Sequence, residues 1–182
     1  MKSSAFNPAE LDVAAFAKQG AELDGQQPLQ ALQRLASSVH SDSAATQRQV
    51  AWRAQGELRK PRGADPQAWV HLSARVEVMM ECQRCLGPVA ADLAIERSFL
   101  FVPGEDAAAE LDVDSDDDVL ALTRSLDLLA LIEDELLLAL PIVPRHDVCP
   151  QPLVAPKEDL PGDDAPHPFA ALAALKRGGL PN

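Results

Sequence analysis

The sequence predicts an α+β domain: an antiparallel sheet of at least three strands, flanked by N-terminal helices and one long leucine-rich helix, then an extended C-terminal tail. Three observations predict it. Residues 49–101 hold three segments with apolar side chains at every second position, the period of half-buried strands. Residues 125–141, SLDLLALIEDELLLALP, form a leucine-rich run that ends on proline, as a helix does. Residues 148–168 carry prolines at 150, 152, 156, 161, 166 and 168, which argues for an extended linker.

PAELDVAAFAKQ, residues 8–19, reads as a helix with Asn7 as N-cap, Pro8 at its first position and Gly20 as its stop. PLQALQRLASSV, residues 28–39, reads as a second, with Leu29, Leu32, Leu35 and Ala36 recurring at helical spacing. In residues 49–59, Val50, Trp52, Ala54 and Leu58 alternate with Arg53, Gln55, Glu57 and Arg59. KPRGADP turns the chain. Residues 69–82 then set Val70, Leu72, Ala74, Val76, Val78, Met80 and Cys82 on one face. Residues 89–101 gather Val89, Ala91, Leu93, Ile95, Phe99 and Phe101, interrupted by Arg97. The simplest topology is an antiparallel meander with CQRCLGP as its second hairpin loop.

Residues 104–118 carry Glu105, Asp106, Glu110, Asp112, Asp114, Asp116, Asp117 and Asp118 and no basic residue, the composition of a solvated loop. A calcium loop counted from Asp112 places Asp117 and Thr123 where Gly and Glu are required, which excludes an EF-hand. In 125–141 Ser125 is the expected N-cap, Asp127 complements the helix dipole and Pro141 ends the helix. Asp127 and Asp134 mark its polar line, and the carboxylates of IEDE read as an exposed edge. HPFAALAALKRGG closes the chain as a short helix whose Phe169, Leu172 and Leu175 cluster, to dock back on the domain or to enter a partner groove. The expected organisation is one domain over residues 1–147, including the acidic loop, followed by a proline-rich linker and short helix over 148–182.

Net charge is −12, and its distribution matters more than its size. Residues 1–103 carry 11 basic and 11 acidic side chains, and residues 104–182 carry 5 and 17. Nucleic-acid binders gain affinity by neutralising phosphates, so this balance points to a basic protein as partner, with RNA touched indirectly or weakly. The competing basic patch is Arg53, Arg59, Lys60, Arg62 and Arg84. Three cysteines, an odd number, fit a reducing compartment. With neither an apolar leader nor an uninterrupted apolar span, the expected location is the cytoplasm, away from membranes.

Cys82 and Cys85 stand in a tight turn with two residues between them, the spacing of half a tetrahedral zinc site. His146 and Cys149, in PRHDVC just past the leucine-rich helix, would complete a closed structural zinc site. The alternative is two reduced cysteines flanking a turn. A thioredoxin-like pair would open a helix, and here Gly87 and Pro88 follow instead. No nucleophile elbow, phosphate loop or HExxH motif occurs, so neither an enzyme nor a small-molecule substrate is expected.

Taken together, ECQRCLGPV, DLLALIEDELLLALPIVPRHDVC and PFAALAALK, in this order and spacing, closely resemble the YceD family of bacterial large ribosomal RNA subunit accumulation proteins, which has plastid relatives. Cys82, Arg84, Cys85 and Pro88 match the first motif, Asp127, Glu133, Glu135, Leu140, Pro141 and Pro144 the second, and Phe169, Leu172 and Leu175 the third. The resemblance implies a role in synthesis, processing or stability of 23S ribosomal RNA without known catalysis. Relatives are commonly encoded beside a small basic protein of the large ribosomal subunit. Many carry further cysteines after the helix, where this chain has only His146 and Cys149. The charge asymmetry then suggests engagement of a basic ribosomal protein or assembly factor through residues 104–118 and the helix edge at Asp134. Direct RNA contact through the basic patch and a zinc- or thiol-sensing module are the alternatives.

Overall fold

The computed structural model describes residues 6–40, 48–63 and 65–150. A five-stranded sheet organises them in the order β1 (Glu22–Pro28), β2 (Gln49–Arg59), β3 (Gln67–Glu81), β4 (Pro88–Val102) and β5 (Asp118–Ala121). The first four strands form an antiparallel meander, and β5 lies parallel to β4. Among the described residues four α-helices accompany the sheet: α1 (Val13–Gln19), α2 (Gln33–Ser38), α3 (Glu105–Asp114) and α4 (Leu128–Leu138). The α+β class and the meander of residues 49–101 are as the alternation predicts. Among the described residues no helix is long and apolar enough to cross a membrane.

The alternating apolar rows of β2, β3 and β4 make one buried face, and α1, α2 and α4 pack on it through Phe16, Leu35, Leu128, Ile132 and Leu136 in a single core. Each such side chain contributes about 1.5–3 kcal/mol when fully buried. The break in β2's apolar row at Gly56 has a steric cause: a Cβ there would lie 2.7 Å from the Phe16 carbonyl oxygen of α1. At the far end of the opposite face, α3 covers a smaller cluster of Trp69, Leu100, Ala108 and Val119.

Several expectations need correction. The first helix begins at Val13, because the Asp12 carboxylate caps it by accepting from the Ala15 N–H at 2.9 Å. The residues before it are held by pairing instead, with Leu11 and Leu126 exchanging backbone hydrogen bonds of 2.8 and 2.9 Å. Strand β1 was not legible, since ELDGQQP lacks β-branched and aromatic residues, and pairing to β2 overrides its weak propensity. The helix expected over 28–39 divides into a 3-10 turn, Leu29–Ala31, and the six-residue α2.

The acidic segment is not a loop. AAAEL supplies helix formers, Glu105 and Asp106 sit at the favourable N-terminal end of α3, and the chain then adds β5 to the sheet edge. Helix α4 starts at Leu128 with Asp127 rather than Ser125 as its cap, accepting from the Leu129 and Ala130 N–H groups, both at 3.0 Å. Glu133 and Glu135 are buried, contrary to an exposed IEDE edge. The short helix expected around Phe169, Leu172 and Leu175 lies outside the described residues.

Candidate metal centre

The β3–β4 hairpin and the segment after α4 converge at one end of the sheet. Between Glu81 and Pro88 the turn closes with Cys82 N–H to the Gly87 carbonyl at 2.9 Å and Leu86 N–H to the Cys82 carbonyl at 2.8 Å. Leu86 takes a left-handed conformation with φ 58°, among the described residues the only non-glycine with positive φ. That conformation costs a non-glycine residue roughly 1–2 kcal/mol and persists where surrounding contacts over-determine it. The strand of chain past α4 is pinned beside the turn by Gln83 N–H donating to the Pro144 carbonyl at 2.9 Å. Cys82 and Cys85 are thereby brought to His146 and Cys149.

One ligand atom from each of Cys82, Cys85, His146 and Cys149 lies within 4.8 Å of the other three. The Cys82 and Cys149 sulfurs are 3.9 Å apart, and the Cys85 sulfur is 3.5 Å from His146 Nδ1. Zinc bonds near 2.3 Å to sulfur and near 2.0–2.1 Å to nitrogen require tetrahedral edges of about 3.8 and about 3.6 Å. Both observed edges fit. His146 Nε2 lies 3.0 Å from the Pro88 carbonyl, so that nitrogen carries the proton and donates, and Nδ1 is left free to ligate. Three sulfurs and an imidazole are a donor set that suits zinc. All three cysteines are unbridged, Cys82 buried and the other two half-buried.

Electrostatics favour one thiolate strongly. Burial pushes the Cys82 thiol up, but the backbone N–H groups of Arg84, His146 and Cys85 more than offset it and bring it down to about 5. For Cys85 the Gly87 N–H pulls downward, while burial and the sulfurs of Cys149 and Cys82 push upward and prevail. Three thiols crowd together, and the charge of one suppresses ionisation of another unless a cation joins them.

Arg84, counted among the RNA-binding candidates, lies beside this cluster. Its Nε donates to the Cys149 sulfur at 3.0 Å and its Nη2 to the His146 and Asp147 carbonyls at 3.0 and 3.2 Å. Arg53 pairs with Glu22 at 2.7 Å, and Arg59 pairs with Glu57 at 3.0 Å while lying 4.1 Å above the Trp69 ring. Lys60 and Arg62 are exposed at the β2–β3 turn. The eight carboxylates from Glu105 to Asp118 are all exposed. Asp134 is half-exposed and paired with Arg34.

Glu133 and Glu135 of the second motif face inward. Glu133 accepts from the Arg34 and Leu35 backbone N–H groups at 2.7 and 3.1 Å and from Arg34 Nε at 3.0 Å, which caps α2 from outside that helix. Glu135 meets Arg97 of β4 at 3.3 Å. An arginine inside a strand's apolar row and a glutamate inside a leucine-rich helix were the available signal, read separately. His71 bridges Ser98 and Glu57, each at 2.8 Å, across three adjacent strands, a row that sequence spacing does not reveal.

A model of the family described as large ribosomal RNA subunit accumulation protein YceD matches residues 70–176, more than half the chain. The chain belongs to the YceD family. It is also similar to the large ribosomal RNA subunit accumulation protein YceD of Haemophilus influenzae, with 36% identity over 120 residues, covering 62% of this chain and 69% of that one. No solved structure matches. All four residues of the cluster, Arg84 and the acidic helix fall inside the YceD match, whereas Arg53, Arg59, Lys60 and Arg62 lie before it.

Proposed function

We propose that this chain is a non-enzymatic cytoplasmic factor that supports accumulation of large-subunit (23S) ribosomal RNA by binding a basic ribosomal protein or assembly factor, contacting rRNA indirectly or weakly. Membranes and small-molecule substrates have no part in this reading. The observation that carries it is the surface of α3, the turn after it and the first residue of β5, where eight carboxylates are exposed with no basic side chain among them. Exposed Leu111 and Val113 add apolar contact area beside those charges. Complementary charge steers a basic partner and repels the RNA backbone. Direct RNA binding is less well supported, because Arg53, Arg59 and Arg84 already hold Glu22, Glu57 and Cys149.

A tagged full-length chain pulled down with and without nuclease tests this reading. A basic ribosomal protein or assembly factor that survives nuclease is the expected result. Loss of every partner with nuclease, together with retention of rRNA when nuclease is withheld, would overturn it in favour of direct contact.

We further propose that Cys82, Cys85, His146 and Cys149 hold a structural zinc ion. The support is the pair of edges that match a tetrahedron and the His146 ring fixed by Pro88. Zinc would tie the hairpin to the segment after α4 and leave no ligand position for a substrate. One equivalent of zinc in the purified chain is expected, and its absence after preparation with added zinc would refute the site.

A further inference from the structure

We propose that Arg84 is the positioning residue of this centre: its guanidinium supplies the counter-charge for a three-thiolate zinc site and latches the second ligand pair onto the first. The inference rests on the zinc reading. Three thiolates against the two charges of zinc leave one negative charge with a neutral imidazole. An adjacent cation brings the assembly to neutrality.

The geometry places that cation and no simpler surface role accounts for it. Arg84 lies between Cys82 and Cys85, so its backbone belongs to the first ligand pair, while its side chain bonds to the second. Nε–H points at the Cys149 sulfur at 3.0 Å, a charge-assisted contact to a ligand atom. Nη2 donates to the carbonyl of His146, itself a ligand, and to that of Asp147, at 3.0 and 3.2 Å. One rigid fork therefore fixes the sulfur at one end of HDVC and the backbone at the other. Lysine could restore the charge but offers a single donor atom on a flexible stem. Arginine is the residue whose shape meets all three acceptors.

Hydrogen bonds to ligating groups orient them and tune their donor strength, and their loss typically weakens metal binding about 10–100-fold. An N–H donated to a thiolate also withdraws electron density from sulfur. Removing it raises the energy of the sulfur electrons and moves thiolate-to-cobalt charge transfer to longer wavelength.

The test titrates Co²⁺ and then Zn²⁺ into the full-length chain and into Arg84→Gln and Arg84→Lys, with Arg53→Gln as a control for surface charge. Expected are one equivalent of tetrahedral cobalt in the parent, about 10–100-fold weaker binding and a red-shifted charge-transfer band in Arg84→Gln, and an intermediate loss in Arg84→Lys. Arg53→Gln should match the parent. If Arg84→Gln binds both metals with parental affinity and spectrum, the inference is wrong and the zinc reading stands. If Arg84→Gln instead weakens binding to an rRNA fragment and flattens its salt dependence with the metal unaffected, Arg84 serves RNA. A parent that takes up neither metal defeats the zinc reading and this inference with it. A misfolded Arg84→Gln leaves the Arg84→Lys affinity and spectrum to decide between the same outcomes.

Discussion

β4 ends in two regions of opposite character. At its Pro88 end the polar groups turn inward onto each other: sulfurs face sulfur and imidazole, a guanidinium faces the Cys149 sulfur, and the Gln83 N–H donates to the Pro144 carbonyl across the two segments. At its Val102 end, α3 buries one residue, Ala108, has no side-chain N-cap, and turns its carboxylates to water apart from Asp112, which accepts from the Val119 N–H at 3.0 Å. The first region spends its polar chemistry on its own order, and the second leaves it free for something else. That difference is the physical ground for reading one as a clamp and the other as a display surface.

Removing metal should break the comparison most visibly. A ligand present at 1,000 times its dissociation constant stabilises the native state by about 4.1 kcal/mol. Chelating zinc from the loaded chain should therefore lower its melting temperature by roughly 10 °C. Differential scanning calorimetry of the loaded chain with and without chelator checks this, and Cys149→Ser should resemble the chelated sample whether or not zinc is added. Amide exchange should rise at Gln83 and Leu86, whose N–H groups close the knuckle, and stay unchanged in α3.

Next in size is Glu133. Its carboxylate satisfies two backbone donors at the start of α2 and the Arg34 guanidinium, and α2 has no side-chain cap of its own. Glu133→Ala should cost roughly 2–3 kcal/mol in urea denaturation, because it strands those donors as well as losing a bond. Glu133→Gln keeps one acceptor oxygen and should recover part of that.

Glu135, two residues on, should behave in the opposite sense. Burial raises its pKa above the usual carboxylate range, while the nearby Arg97 charge only partly restores the ionised form. The folded chain thus takes up this proton at a higher pH than the unfolded chain does. Stability falls as pH rises through the raised pKa and is regained as pH falls toward the unfolded value. Glu135→Gln should be neutral or stabilising by up to about 1 kcal/mol at pH 7, with the advantage shrinking as the solution is acidified. Urea midpoints at pH 7 and at pH 5 measure it, and a larger advantage for the Glu135→Gln variant at the lower pH would contradict the sign.

This contrast also marks what the sequence reveals. Period-two alternation from Val50 to Phe101 is set by burial of one sheet face, so the meander is legible residue by residue. Cys82 and Cys85 announce half a site because a tight turn is local, and His146 with Cys149 can be matched to them by ligand chemistry alone. What stays hidden is decided by partners distant in sequence. β1 exists only because β2 accepts it, and Glu133 caps a helix 98 residues away in the hydrogen bond to Leu35. Arg84 looks like any exposed cation until the segment after α4 arrives beside it. The acidic segment misleads for another reason: its composition resembles a solvated loop, yet Ala108 meeting Trp69 and Leu100 is enough to anchor a helix.

The smallest effect on stability is expected where the effect on partners is largest. Replacing Glu105, Asp106, Glu110 and Asp114 together by Gln or Asn removes four exposed charges and no buried contact. Losing acidic residues from the first turn of α3 weakens its dipole complement, but relief of repulsion among like charges acts the other way, so the net change should be within about 0.5 kcal/mol. Metal content should be that of the parent. Capture of the basic partner should nevertheless drop steeply, and the residual binding should lose most of its dependence on ionic strength, since screening has less charge to act on. If partner capture survives while the knuckle variant Cys149→Ser abolishes it, the roles of the two ends of β4 are reversed: the clamp would be the recognition surface and α3 only its cover on the sheet.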